Sequence, residues 1–296
     1  MKSIIVWGLV LSAVITFASP VHATIRIVAS TTDLASIADY IGGDKVRTES
    51  IASGKANPHY VEVLPSYMVK VARADIYLKI GMDLDMWANY LIDGSRNGHL
   101  VVVDCSEDIE ILDKPTRKVD ASMGDIHPSG NPHYWLNPDN GIKIARAILA
   151  ALKQVDSQNS DYYDKNFASF AGKIERKKIE WLEKARPLVG LNIITYHNSW
   201  PYFCRSFGIQ VVGHVEPKPG IEPTPSHTAK LVQLIKASNI KIIGKEPYFS
   251  DRTPNSIARA TAAKVVDLPP SVGGVDGASD YFRLFDTLLD ILLAEL

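Results

Sequence analysis

Cysteine is scarce: Cys105 and Cys204 are the only two in 296 residues. This excludes a disulfide framework and a cysteine-rich zinc finger, so any metal must be met by histidine and carboxylate. Positive charge is not in surplus either. There are 32 Lys and Arg against 33 Asp and Glu, a net charge of −1, without the basic stripe that neutralises phosphates, and no nucleic-acid partner is expected. No apolar run reaches the ~20 residues that a membrane-spanning helix requires. What remains is an ordinary globular composition, 46% hydrophobic and 22% charged, long enough for roughly two domains.

The chain opens with Met1-Lys2-Ser3, continues in an apolar run from Ile4 to Phe17 and reaches small residues ending in Val21-His22-Ala23. That order predicts a secretory signal peptide over residues 1–23 and an exported, soluble mature chain in the periplasm.

Beyond it, short β-branched runs alternate with helical patterns. Strands are expected at Ile25–Ala29, Val46–Ile51, Ile76–Ile80 and Leu100–Val103, and again at Asn192–Thr195, Ile209–Val215, Ile240–Gly244 and Lys264–Val266. Strand–helix alternation of this kind predicts parallel sheets covered by helices. The fold class is therefore α/β, with two lobes of about four parallel strands each, an N-terminal lobe over 24–137 and a C-terminal lobe over 188–296. Between them, Asn137 can cap a helix opened by Pro138, and helical periodicity continues to Ala185 with an interruption at Asp156–Ser160. Residues 138–187 read as a linking helical spine. The stretch Asp113–Gly130, rich in Pro, Ser, Gly and charge, reads as a surface loop, and Pro217–Pro225 as a connector. Cys105 and Cys204 fall in different lobes and are expected as buried thiols.

The chemistry lies with histidine. One tetrapeptide occurs twice, Asn57-Pro58-His59-Tyr60 and Asn131-Pro132-His133-Tyr134. Proline fixes its own φ and extends the residue before it, so each His is presented from a stiffened loop. His197 directly follows a predicted strand, in Thr195-Tyr196-His197-Asn198-Ser199-Trp200. Ligands of open parallel sheets gather at the carboxyl ends of strands. Two lobes facing each other there would bring His59 and His197 together, with His133 at the crossing. Imidazole suits first-row transition metals, and Zn²⁺ takes four ligands in a tetrahedron. The fourth is expected to be a carboxylate, with Asp280 the first candidate although an Asp at a helix start is also an ordinary cap. Glu246, in Glu246-Pro247, follows another strand and reads as a group orienting a ligand His or as a structural carboxylate.

The Asn-Pro-His loop leading into Pro65-Ser66, His-Tyr-Trp-Leu-Asn-Pro at 133–138, Tyr-His-Asn-Ser-Trp-Pro-Tyr-Phe at 196–203 and Glu246-Pro247 resemble the metal-specific solute-binding proteins of ABC importers. The resemblance covers the mature chain. It implies a periplasmic protein that captures Zn²⁺ or Mn²⁺, is not an enzyme, and hands the ion to a membrane permease, a periplasmic metallochaperone being a further partner. A monomer is expected. The family's ligands fall on His59, His133, His197 and an acidic residue matched by Asp280. The zinc members' long His- and acid-rich loop is reduced here to Asp120, Asp125 and His127, and His127 reads as a solvated loop residue. His99, His214 and His227 read as structural or surface groups. The manganese-type members usually carry Glu where this chain has His197; three imidazoles and a carboxylate favour zinc as the transported ligand. A secreted zinc hydrolase, with Glu246 or Asp280 as general base on metal-bound water, is the competing expectation; no His-Glu-x-x-His helix accompanies it. The spine is expected to limit hinge opening.

Overall fold

The computed structural model describes residues 24–116 and 127–296; the expected signal peptide, and Asp120 and Asp125, lie outside them. Among the described residues, eight strands form two sheets. β1 (Ile25–Ala29), β2 (Val46–Ser50), β3 (Ile76–Lys79) and β4 (Val101–Asp104) make the first, in the order β2-β1-β3-β4. β5 (Asn192–Thr195), β6 (Gln210–His214), β7 (Ile242–Lys245) and β8 (Lys264–Asp267) make the second, in the order β6-β5-β7-β8. Every strand pairing is parallel. The two halves thus repeat one topology, as the alternation of elements predicts.

Side chains of a strand point alternately to its two faces, and the two faces meet different cores. Ile25, Ile27, Ala29, Ile76 and Leu78 face a core that also takes Ile193 and Ile242 of the second sheet. Val28 and Tyr77 face a smaller cluster with Val71 of helix α2 (Pro65–Ala72) and Leu91 of α3 (Trp87–Ser95). In the second half Ile194 and Ile243 do likewise with Leu231 of α7 (Pro225–Ala237) and Ile257 of α8 (Arg252–Ala260).

The large core is filled by helices from both halves: α1 (Thr32–Gly42), α4 (Pro138–Val155), α5 (Ser160–Lys184), α6 (Pro201–Phe207) and α9 (Tyr281–Leu293). α4 begins as expected, with Pro138 in its first turn and the Asn137 side chain accepting from the Asp139 amide. The spine is not a single rod. A 3-10 turn at Ser157–Asn159 folds α5 back along α4, and Lys153–Asp164 and Lys178–Asp139 ion pairs, 2.7 and 2.6 Å, bind the antiparallel helices near both ends. α4 packs on β4 and α1, while α5, about 37 Å long at 1.5 Å per residue, packs on α1 and on α9.

The halves are also laced directly. Val272 N donates to Asp33 Oδ1 (2.9 Å), Thr32 Oγ1 to Val272 O (2.7 Å), Trp135 Nε1 to Pro270 O (2.7 Å) and Tyr281 OH to Trp135 O (2.6 Å). At Gly54 a Cβ would lie 2.0 Å from Val272 O, so only glycine permits this approach. Cys105 and Cys204 are buried free thiols, and burial pushes the Cys204 thiol up to about 12. Among the described residues no helix is long and apolar enough to cross a membrane.

Candidate metal centre

The loops at the carboxyl ends of the strands meet between the sheets. His59 comes from the loop after β2, His133 from the segment leading into α4, and His197 from two residues beyond β5. Each of these histidines offers one ring nitrogen, and the three nitrogens lie within 4.8 Å of one another. Nε2 of His59 and Nε2 of His133 are 3.1 Å apart. A tetrahedral ion with bonds of about 2.0–2.1 Å spaces its donors about 3.3 Å apart, so little adjustment separates this arrangement from a coordination sphere.

The repeated tetrapeptide earns its repetition locally. In both copies the Asn side chain accepts from the His backbone amide two residues on, 3.0 Å at Asn57–His59 and 3.1 Å at Asn131–His133. The proline between stiffens this Asx turn. Trp87 Nε1 donates to Pro58 O at 2.9 Å and ties the first copy to α3.

Two imidazoles have their second nitrogen engaged. His133 Nδ1 lies 3.0 Å from Asn131 Oδ1, which can only accept, so Nδ1 carries the proton and Nε2 presents a lone pair. His197 Nδ1 lies 2.8 Å from Glu216 Oε2, and both residues are buried. Such carboxylate–histidine contacts fix the tautomer and raise ligand basicity. Burial, with the His59, His197 and His127 imidazoles nearby, holds His133 well below its ordinary 6.5 and therefore neutral, the form that binds metal.

Asn131 also spans the halves: its Nδ2 donates to Asn198 O at 2.8 Å, and its own carbonyl accepts from Tyr202 OH at 3.0 Å. Beside the histidines lies a cavity of about 340 Å³, lined among others by His127, His133, His197, His214, Glu216 and Lys218. The Pro217–Pro225 connector therefore contributes to its wall. His214 Nδ1 is 2.9 Å from Thr195 Oγ1, and burial pushes its imidazole down to about 4. His227 Nε2 donates to His214 O, and His99 is exposed.

Among the described residues no carboxylate joins the group. Asp280 caps α9: its Oδ1 accepts from the amides of Phe282 (2.8 Å) and Arg283 (2.9 Å), and it is absent from the three-histidine cluster. Glu246 is fully buried, and its Oε1 accepts from Ser199 Oγ (2.7 Å) and Trp200 Nε1 (3.1 Å), the contacts of a structural carboxylate. It holds the backbone just beyond His197, and burial raises its carboxyl to about 7. The carboxylate that orients His197 is Glu216, which the sequence reading missed. Strand register brings them together, because His197 and Glu216 each lie two residues beyond the paired Thr195 and His214. His127, read as solvated, instead has its ring centre 5.0 Å from that of His59.

Comparison with known proteins places this geometry. The model of the family described as zinc-uptake complex component A, periplasmic, matches residues 27–294. The manganese ABC transporter substrate-binding lipoprotein PsaA of Streptococcus pneumoniae is 25% identical over 80% of this chain and 77% of its own length. The metal ABC transporter substrate-binding lipoprotein SloC of Streptococcus mutans is 26% identical over 87% and 85%. A crystal structure of ZnuA, 25% identical, superposes with a TM-score of 0.78 over 91% of this chain and 99% of that one. A structure of FpvC from Pseudomonas aeruginosa in complex with Mn²⁺, 24% identical, shares the fold with a TM-score of 0.77 over 92% and 98%. With its matched length, its doubled four-stranded architecture and its converging histidines, the chain belongs to this family, the metal solute-binding proteins of ABC importers.

Proposed function

We propose that the protein is a periplasmic carrier that captures Zn²⁺ between its two halves with His59, His133 and His197 and delivers it to a membrane permease. It works as a monomer, loaded from solution or by a periplasmic metallochaperone. The observation that carries this reading is the convergence of three ring nitrogens within 4.8 Å from three separate loops, two of them with their second nitrogen already engaged.

The choice of zinc rests on donor chemistry. Among the described residues no carboxylate or thiolate joins the three imidazoles. Imidazole donors suit zinc, whereas Mn²⁺ favours carboxylate, carbonyl and water oxygen. PsaA, a relative whose name specifies manganese, is the reason this needs measurement. Because hydrogen bonds lace the halves on both sides of the site, release proceeds by movement of the ligand loops when the permease engages them.

Metal analysis of the purified protein, with zinc and manganese in competition, tests the reading. One zinc per chain, retained against excess manganese and lost in His197→Ala, is the expected result. Equal retention of manganese would overturn the metal assignment, and undiminished zinc in His197→Ala would overturn the site.

A further inference from the structure

Just beyond β3 three successive residues adopt the left-handed conformation: Gly81, Met82 and Asp83, with φ of +75°, +50° and +63°. Elsewhere among the described residues such φ values occur singly. Glycine enters this region freely, whereas a side chain the size of methionine's resists it. Gly81 has a further reason to be glycine, since a Cβ there would collide with the Asp104 carboxylate. Backbone of this kind persists only where the surroundings over-determine it, and it gathers at functional sites.

The side chain that holds the turn is Asp85, which is buried. Its Oδ2 accepts from the Ile80 amide (2.7 Å) and from Ser30 Oγ, and its Oδ1 from the Gly81 amide (3.0 Å). Ile80, Met82 and Leu84 are buried in the large core. Held in this way, the turn meets the stretch that carries His133 at two points. Tyr134 OH donates to Ile80 O (2.7 Å), and Ser129 Oγ to Asp83 Oδ2 (2.8 Å). His133 lies between these pins, four residues after Ser129 and directly before Tyr134. The first pin depends on Asp85 through covalent geometry. The Gly81 N–H and the Ile80 C=O belong to one planar trans peptide and point opposite ways, so the carboxylate that takes the N–H aims the carbonyl at Tyr134.

We propose that Asp85 is a positioning residue for cargo binding, acting through the left-handed turn to set where His133 stands against His59 and His197. The inference rests on the three-histidine reading above and deepens it. Asp85 is hydrogen-bonded to Ser30, Ile80 and Gly81 and not to a ligand ring, so its effect on the ion passes through the backbone it fixes. That backbone matters because donors must be held within about 0.5 Å of the productive geometry. Asn131 orients the His133 ring from inside the pinned stretch; it sets the direction of the ring, and the pins set its place.

Zinc affinity by chelator competition tests this, with the visible spectrum of the cobalt-substituted protein and the metal-free melting temperature alongside. Tyr134→Phe deletes one pin and Ser129→Ala the other. Each should weaken zinc binding, toward the lower end of the roughly 10–100-fold that follows loss of a ligand's own orienting partner. Asp85→Asn sets a donor against one of the backbone amides; it should weaken binding at least as much and shift the cobalt spectrum. Added to the Tyr134→Phe, Ser129→Ala double variant, it should cost no further affinity, because the route it uses is already cut. Asp286→Ala, which removes the Trp181 bond between α5 and α9, is the stability control: a lower melting temperature with unchanged affinity and spectrum. Unchanged affinity in Asp85→Asn, or the same further loss in the double variant as in the wild type, would overturn the role of Asp85 while leaving the three-histidine site intact. Should Asp85→Asn fail to fold, the double variant decides: weakened zinc binding upholds the pinning, and undiminished binding overturns it. Failure of the wild type to bind zinc would instead overturn the three-histidine reading.

Discussion

An imidazole has two nitrogens and only one can face the cargo, so what holds the other decides how good a ligand it is. At His133 the partner is a neutral amide, Asn131; at His197 it is the buried carboxylate of Glu216. Removing such a partner costs about 10–100-fold in metal affinity. Glu216→Ala is expected to weaken zinc binding within that range, and Glu216→Gln by less, because the amide oxygen still accepts from Nδ1. Competition against a chromophoric chelator measures both, and equal affinity in all three proteins would remove Glu216 from the site. The convergence of His59, His133 and His197 was legible because proline and asparagine around them have strong local preferences. Glu216 was not, because its proximity to His197 depends on the register of β5 against β6, and nothing local to residue 216 encodes that pairing.

Helix ends bear on Asp280, whose carboxylate caps α9. An aspartate before a helix can ligate a metal or satisfy the first free amides, and local sequence does not distinguish these roles. In Asp280 the carboxylate turns to Phe282 and Arg283, while Ser36 Oγ receives the Tyr281 amide, drawing the start of α9 onto α1. Asp280→Ala should therefore lower stability by about 1 kcal/mol, the usual cost of an N-cap, and leave zinc affinity unchanged. Denaturant melts paired with metal titration would show both; a large affinity loss without destabilisation would restore Asp280 as a ligand. Strand positions were readable to within a residue or two, since β-branched runs bounded by turn residues leave little freedom. The direction of α5 was less readable. Periodicity marks a helix and its interruption, but Lys178 meeting Asp139 across the helical hairpin is a long-range fact.

Across the whole molecule, the seam between halves carries a proton-sensitive group. Asp33 is fully buried, accepts from the Val272 amide, and burial raises its carboxyl from 3.8 to about 7. Between those values the folded chain holds a proton there that the unfolded chain releases. The unfolded state therefore binds fewer protons, and stability falls as pH rises through that window and levels off above it. Asp33→Asn keeps an acceptor for Val272 while removing this dependence. Between about pH 5 and about pH 7.5 the metal-free melting temperature of the variant should rise relative to that of the wild type, because the raised Glu246 and the lowered His133 and His214, which act in opposite directions, contribute equally to both proteins. Equal slopes would show that Asp33 ionises freely in the folded chain. The repeated order of four strands was visible in the sequence; the joining of its halves was not, since it depends on which faces of α4, α5 and α9 pack together.

That joining has a practical consequence. Because one continuous apolar interior serves both sheets, neither half can melt alone without exposing surface that the other relies on. Any ion that binds only the folded chain thus raises the free energy of unfolding for the whole of it, by an amount set by its concentration and dissociation constant. Simple thermal denaturation becomes a gauge of cargo occupancy for the entire polypeptide.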